Sequence, residues 1–512
     1  MRRPPKAFSL LFLLLLSASC SSSSSFVPST TFSSNLRFAF SEIQKLTSLI
    51  SYSSGVLGGN LRLSSAIHDC LDLLDLSADE LTWTLSLVND QPVKTPATGN
   101  HRYDLHSWLS AAVGNQDTCK DGLDSAGGPL GGLAAGGLKI VSSLISNSLH
   151  EVAASSGGRG GCRRLLGFPE WVSAGDRRLL QTPAPAEPDA VVAQDGSGDY
   201  TSVGAAVEAA PSESESRYVI YVKKGVYMEN VEVNKKKWNL MLVGDGIDQT
   251  IISGSRSVVD GWTTFRSATL GELNPSLVLP VTGRGFIARD LTIENTAGPQ
   301  GNQAVAFRSG SDLSVFYRCG FSGYQDTLYP HSLRQFYREC RIAGTVDFIF
   351  GDAAVVFQSC DVLSRLPRPG QINTITAQGR RDPDESTGFS FQFCNVSADA
   401  DLVGNTNRTA TYLGRPWRQY SRTVFMESYL DTLIRPEGWV EWNGYTTGLD
   451  TLYYAEYMND GPGSGLEGRV NWPGYHAISD PAEAGEFTVA QFIDGDSWLP
   501  ATGVKYTSGL TM

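Results

Sequence analysis

The sequence predicts an α-helical module followed by a larger, all-β module wound as a parallel β-helix. Three observations carry this. Cys319, Cys340 and Cys360 lie 21 and 20 residues apart, and each ends a similar aromatic segment: Phe316-Tyr-Arg, Phe336-Tyr-Arg-Glu and Phe357-Gln-Ser. A fourth copy, Phe391-Gln-Phe, precedes Cys394 after a loop. A period near 20 in a strand-rich chain is the mark of stacked coils. From Ala190 onward, short β-rich segments recur between Gly and Asn turns, at 219–222, 240–243, 286–293, 305–308, 314–319 and 355–360. Residues 36–149, by contrast, carry apolar side chains at helical spacing, with Leu71, Leu74 and Ala78 on one face.

Taken in order, residues 1–20 read as a secretory signal peptide. Arg2, Arg3 and Lys6 precede a short apolar run from Phe8 to Leu16, and small residues follow. The run is too short to span a bilayer, so the mature protein is expected outside the cell without a membrane anchor. Residues 21–34 are Ser-rich, 36–150 form the helical module, and 151–189 form a linker rich in Gly, Arg, Ala and Pro. The linker holds Arg-Arg-Leu-Leu twice, with Arg163 and Arg164 in one copy and Arg177 and Arg178 in the other. Paired dibasic motifs at a composition change predict cutting by a processing protease. Residues 190–512 form the β module.

The chain of 512 residues is long enough for two or more domains. Its charge is uneven. Residues 1–180 carry 15 Lys+Arg against 14 Asp+Glu, while 181–512 carry 26 against 39, a net of −13. So acidic a module argues against nucleic-acid and anionic-membrane partners, and predicts a weak hold on polyanions. Of the eight cysteines none has CxxC spacing, so no metal site is expected. Asn395 and Asn407 open glycosylation sequons.

The repeat places the chemistry. Asp326 lies seven residues after Cys319, and Asp347 seven after Cys340. Stacked in register, the two carboxyl groups stand on adjacent strands, about 4.8 Å apart. Two such groups cannot both ionise freely, so one keeps its proton. An acid beside a carboxylate suits paired acid and nucleophile work; each Asp alone reads as a turn residue. Gln303, about one coil earlier, and Gln325 bring amide N–H groups to hold a developing oxyanion. Arg415 is placed to orient an Asp bidentately, and Trp417 to stack on a sugar ring. Only His331 and His476 occur after residue 180, and there is no G-x-S-x-G, which excludes a Ser-His-Asp hydrolase.

Several of these segments resemble the plant pectin methylesterase family: QAVAFR (303–308), GYQDTLY (323–329), GTVDFIFG (344–351), YLGRPW (412–417), GVYMENV (225–231) and GRVNWPGYHAI (468–478). AIHDCLDLLDLSADEL (66–81) and SAAVGNQDTCKDGL (110–123) resemble that family's inhibitor-type pro-region, a four-helix bundle. The resemblance implies a right-handed parallel β-helix that demethylesterifies cell-wall homogalacturonan without a cofactor. It implies Asp347 as nucleophile, Asp326 as acid and later base, and Gln303 and Gln325 as oxyanion donors. It also implies Thr264, Gln303, Arg415 and Trp417 as substrate contacts, and disulfides Cys340–Cys360 and Cys70–Cys119. The partners implied are esterified pectin, the chain's own pro-region and separate inhibitor proteins. Two departures stand out. Residues 21–69 lack the family's earlier cysteine pair, which predicts a truncated first hairpin, and 270–281 look like an insertion after Thr264. The rival readings are a β-helix glycosidase or lyase on the same polymer, since carboxylates about 5 Å apart also suit a retaining glycosidase, and a non-catalytic inhibitor or wall-binding protein.

Overall fold

The structure is a computed structural model that describes residues 26–57, 60–89, 97–155, 188–270, 283–444 and 446–511. The signal segment, both Arg-Arg-Leu-Leu motifs and most of the 270–281 insertion lie outside the described residues. Four long helices come first: α1 (Phe32–Leu57), α2 (Leu61–Val88), α3 (His101–Ala126) and α4 (Leu130–Ala154). Asn60 caps α2, its side chain accepting from the Arg62 amide, which satisfies one of the first-turn N–H groups. The first hairpin is not truncated. α1 runs 26 residues and buries Phe32, Leu36, Ala39, Ile43, Leu46 and Ile50, so its apolar stripe does the work expected of the missing cysteine pair. The Cys70–Cys119 disulfide ties α2 to α3.

The remaining chain is a right-handed parallel β-helix. Its strands fall into three parallel sheets of 11, 8 and 5 strands, and within each the neighbours come from successive coils rather than successive strands. One coil runs through Ser314–Tyr317, Gly320–Ser322 and Leu328–Pro330, and the next through Arg334–Arg338, Arg341–Gly344 and Ile349–Gly351. The 20-residue period is therefore one turn of the solenoid.

Register corrects one detail of the repeat. Phe316 pairs with Tyr337, not Phe336. Strand side chains alternate between faces, so one extra residue before Cys340 moves Phe336 outward. The inward ladder is Phe316, Tyr337, Phe357, Phe391 and Phe425, stacked at 4.5, 4.8, 4.6 and 4.4 Å between centroids. Phe336 packs outside instead, against Tyr506 of the C-terminal segment that covers the 11-stranded sheet.

The implied Cys340–Cys360 disulfide is also corrected. Cys319, Cys340, Cys360 and Cys394 are all buried free thiols. Each follows a residue with positive φ, namely Arg318, Glu339, Ser359 and Phe393, which turns the chain from the first sheet into the second. Each thiol lies against the carbonyl two residues back, and Cys340, Cys360 and Cys394 also against a carbonyl of the previous coil, Phe316, Tyr337 and Phe357. Ser428 and Asn459 take the same place on later coils, bonding to Phe391 and Phe425 carbonyls. The position calls for a small donor, and the chain fills it with thiol, hydroxyl or amide.

Candidate active site

The two aspartates stand on neighbouring coils. Leu328 pairs with Ile349, and the same offset sets Asp326 beside Asp347. The Asp326 amide donates to the Val346 carbonyl at 3.0 Å, which holds the two loops together. Both residues are left-handed, with φ of 63° and 50°. Asp tolerates this region better than most residues, and such conformations gather at functional sites.

Their environments differ. Asp347 accepts from Arg415 through both oxygens, Nε to Oδ1 at 2.8 Å and Nη2 to Oδ2 at 2.7 Å, and from the Thr374 hydroxyl at 2.7 Å. Three donors thus grip this one carboxylate. Among the described residues, no side chain donates to Asp326. Burial, and then the charge of Asp347, push its carboxyl well above the usual range, against the pull of Arg415. A carboxyl group with a raised pKa thus stands beside one gripped by three donors.

Gln303 and Gln325 flank the pair. The Ala304 amide donates to the Gln325 carbonyl at 3.2 Å, so the two glutamines adjoin across one rung. Both are half-buried. Trp417 lies edge-on to Phe350, whose ring stacks on Tyr329 at 4.1 Å. Gly379 makes room for Trp417: a Cβ there would lie 3.0 Å from the indole. Phe265 and Trp442 extend the aromatic floor, Trp442 lying under the Arg415 guanidinium at 4.3 Å. Thr264 is half-buried on the same loop as Phe265. Its neighbour Thr263, rather than Thr264, makes the side-chain bond there, to Asp69 at 2.6 Å.

The sequence reading passed over Thr374, Tyr329, Phe350, Trp442 and Phe265. Tyr329 and Phe350 had a signal: each lies three residues beyond its aspartate, on in-register coils. Thr374 had none, because a longer coil separates it from Asp347.

The helical bundle is seated on this floor. Side chains of its helices share one apolar cluster with Phe265, Val305, Tyr329, Phe350 and Ala377. Under it Asp326 and Asp347 keep 7% and 5% of their surface. Gly114 of α3 allows the close approach, since a Cβ there would come 3.1 Å from Asp352 Oδ2. The ion pairs across the seam are one-sided. Asp69 and Asp72 meet Arg266, Asp75 and Asp79 meet Lys235, Asp104 meets Arg334, Asp117 meets Arg381, and Asp121 meets Arg418. The bundle supplies the carboxylate each time; the reverse occurs in His150 with Asp384. Beside Trp417, a cavity of about 920 Å³ remains between α3, α4 and the β-helix.

A coil-built carboxyl pair, aromatic floor and seated helical module define a β-helix enzyme that carries its own cover. Residues 189–496 match the sequence profile described as Pectinesterase, and residues 15–150 that described as Plant invertase/pectin methylesterase inhibitor. The chain belongs to the pectinesterase family. It is 55% identical to a pectinesterase/pectinesterase inhibitor of Prunus persica over 94% of this chain and 90% of that one. It is 51% identical to pectinesterase 2 of Citrus sinensis over 90% of this chain and 84% of that one. Among solved structures, a pectin methylesterase from carrot matches with a TM-score of 0.61 and 53% identity, covering 64% of this chain and 99% of the carrot chain.

Proposed function

We propose that the chain hydrolyses the methyl esters of cell-wall homogalacturonan, giving pectate and methanol, with Asp347 as nucleophile and Asp326 as acid and base. The observation that carries the roles is the asymmetry of the pair: Asp347 is gripped by Arg415 and Thr374, while no side chain among the described residues donates to Asp326. An Asp347 oxygen attacks the ester carbonyl carbon, and the oxyanion that forms is held by the Gln303 and Gln325 amides. Collapse breaks the bond to the methoxy oxygen, which takes its proton from Asp326 and leaves as methanol. Asp326, now ionised, takes a proton from water as that water attacks the acyl-enzyme, releasing galacturonate and restoring Asp347. Trp417 and its aromatic neighbours offer a stacking surface for sugar rings, with Thr264 at the edge.

The bundle packs on this floor, so the described form reads as a covered precursor. Activity then requires release of the bundle, by cutting at Arg163–Arg164 or Arg177–Arg178. Signal cleavage and secretion to the wall complete the reading. Of the two sequons, Asn407 is exposed in a loop, whereas Asn395 donates to Asp361 from a strand. The aromatic floor also suits separate inhibitor proteins of the bundle's kind.

The test is methanol release from esterified pectin by residues 188–511. The match to the carrot chain covers 99% of that chain and 64% of this one, which supports this region as a folding unit. Methanol should appear with the polymer's length unchanged; shortening of the polymer without methanol would favour the glycosidase or lyase reading. The rate should fall as pH rises through the Asp326 pKa, because the acid form is the one that protonates methanol. A profile without an alkaline limb would remove Asp326 from that role.

A further inference from the structure

One side chain at the bundle interface is buried and unused by the chemistry above. Arg308 lies on the strand Phe307–Ser309, paired in register with Tyr329. Phe307 points into the core, so Arg308 stands on the outer face, on the cleft floor. It is 0% exposed, and Nε, Nη1 and Nη2 all lack a hydrogen-bond partner among the described residues. Its guanidinium carbon sits 3.2 Å from the centre of the Phe265 ring. Burial pulls its pKa down to about 9, with Asp69 and Tyr329 opposing.

A buried guanidinium without hydrogen bonds is costly and is not explained by the seam that buries it. α2 brings Asp69 and Asp72 to the place, yet both are taken by Arg266, at 2.5 and 2.7 Å. With the bundle in place, Asp69 and Asp72 act on the charge of Arg308 from nearby, yet no hydrogen bond reaches its guanidinium among the described residues.

We propose that Arg308 and Arg266 form a subsite for a free galacturonate carboxylate on the cleft floor, which Asp69 and Asp72 of α2 occupy in the precursor. Guanidinium forks match carboxylates bidentately. Phe265 and Tyr329 beside them give the sugar ring a surface. Arg308 lies on the coil before that of Asp326, in register with Tyr329, which is three residues beyond Asp326. The carboxylate it takes therefore belongs to a neighbouring sugar unit, already demethylated, and not to the ester under attack. The one-sided ion pairs of the seam agree: the bundle presents carboxylates to this face just as the polymer would. The acidic net charge of the β module predicts a weak hold on polyanions; this local pair of cations reverses that expectation at the cleft.

The inference rests on the pectin reading of the cleft, and the test separates the two. Residues 188–511 carrying Asp347→Asn would be titrated by calorimetry with a galacturonate hexamer, unesterified or fully methyl-esterified, at low and at 0.5 M salt. The parent should bind both. Arg308→Gln and Arg266→Gln should each weaken binding of the unesterified hexamer by about tenfold or more, as expected for a lost charge-assisted pair, and reduce its salt dependence. Binding of the esterified hexamer should change by less than about twofold. Arg308→Lys should recover part of the loss, with melting temperatures of all variants near the parent's. If the parent binds and the Arg variants bind the unesterified hexamer unchanged, or lose both hexamers equally, the subsite is wrong. If the parent binds neither hexamer, the pectin reading itself fails and the subsite with it.

Discussion

Asp347→Asn, made in residues 188–511, is expected to fold as the parent does and to lose methanol release by about 10²–10⁴-fold, with the loss in kcat. The substitution keeps the shape of the side chain, so Thr374 and one arm of Arg415 keep an acceptor oxygen. What goes is the negative charge and with it the nucleophile. Asn cannot form the acyl intermediate, and the remaining carboxyl group, Asp326, is the one without donors to hold it ionised. Asp326→Asn should cost a similar factor for another reason: methanol must then leave without a proton. The pair acts as a unit, so the double variant should lose little more than either single one. Near-normal methanol release from folded Asp347→Asn would sink the mechanism. Release of methanol by Asp347→Asn but not by Asp326→Asn would reverse the roles.

The second large effect concerns the seam. Arg334 joins the modules: Nη1 donates to Asp104 of α3 at 2.9 Å, while Nη2 and Nε donate to Asp312 at 2.7 and 3.0 Å. All three side chains are 2% exposed or less. Removing one member of a buried network strands the others and costs about 3–5 kcal/mol. Arg334→Met in the full chain should therefore weaken docking of α3 by about two to four powers of ten, read as faster amide exchange along α3. Asp104→Ala, which touches only the bundle side, should do the same while leaving the β-helix protected. The sign of the pH effect follows from burial, which raises the Asp104 pKa against the pull of Arg334. Without Arg334 that rise grows, so the docked state binds the proton more tightly than the free bundle does. The defect should be largest at neutral pH and shrink as pH falls towards and below the docked-state value. Unchanged α3 exchange in both variants would show that the network does not hold the modules together.

How much of this was legible before the structure follows from range. The coil period was written in Cys319, Cys340 and Cys360, because one position per turn demands one kind of side chain. The aspartate pair was legible for the same reason, at a constant seven residues from those cysteines. A single inserted residue hid the ladder's true member: Phe336 copies Phe316 in letters, while Tyr337 copies it in space. The disulfide implied for Cys340 and Cys360 rested on resemblance, and no spacing distinguishes a bridge from stacked thiols. The seam was illegible. Arg266 meets Asp69 and Arg334 meets Asp104 across about 200 residues, and no period links a helix face to a solenoid coil. Arg308 was in plain sight in QAVAFR, but its lack of partners is a property of packing alone.

The seam also bears on assembly in time. The ribosome completes residues 26–155 before the first β strand emerges, and domains generally fold in that order during synthesis. The bundle's polar contacts then run from Lys235 through Arg266, Arg334 and Arg381 to the carbonyl of Gln491, which accepts from Tyr103. Early and late coils alike meet a partner already standing. A solenoid whose coils repeat could slip by one turn and still bury its aromatic ladder; against a finished bundle, a slipped coil would set every later cation opposite the wrong carboxylate. A bundle that folds first is thus a ruler for coil register as well as a cover.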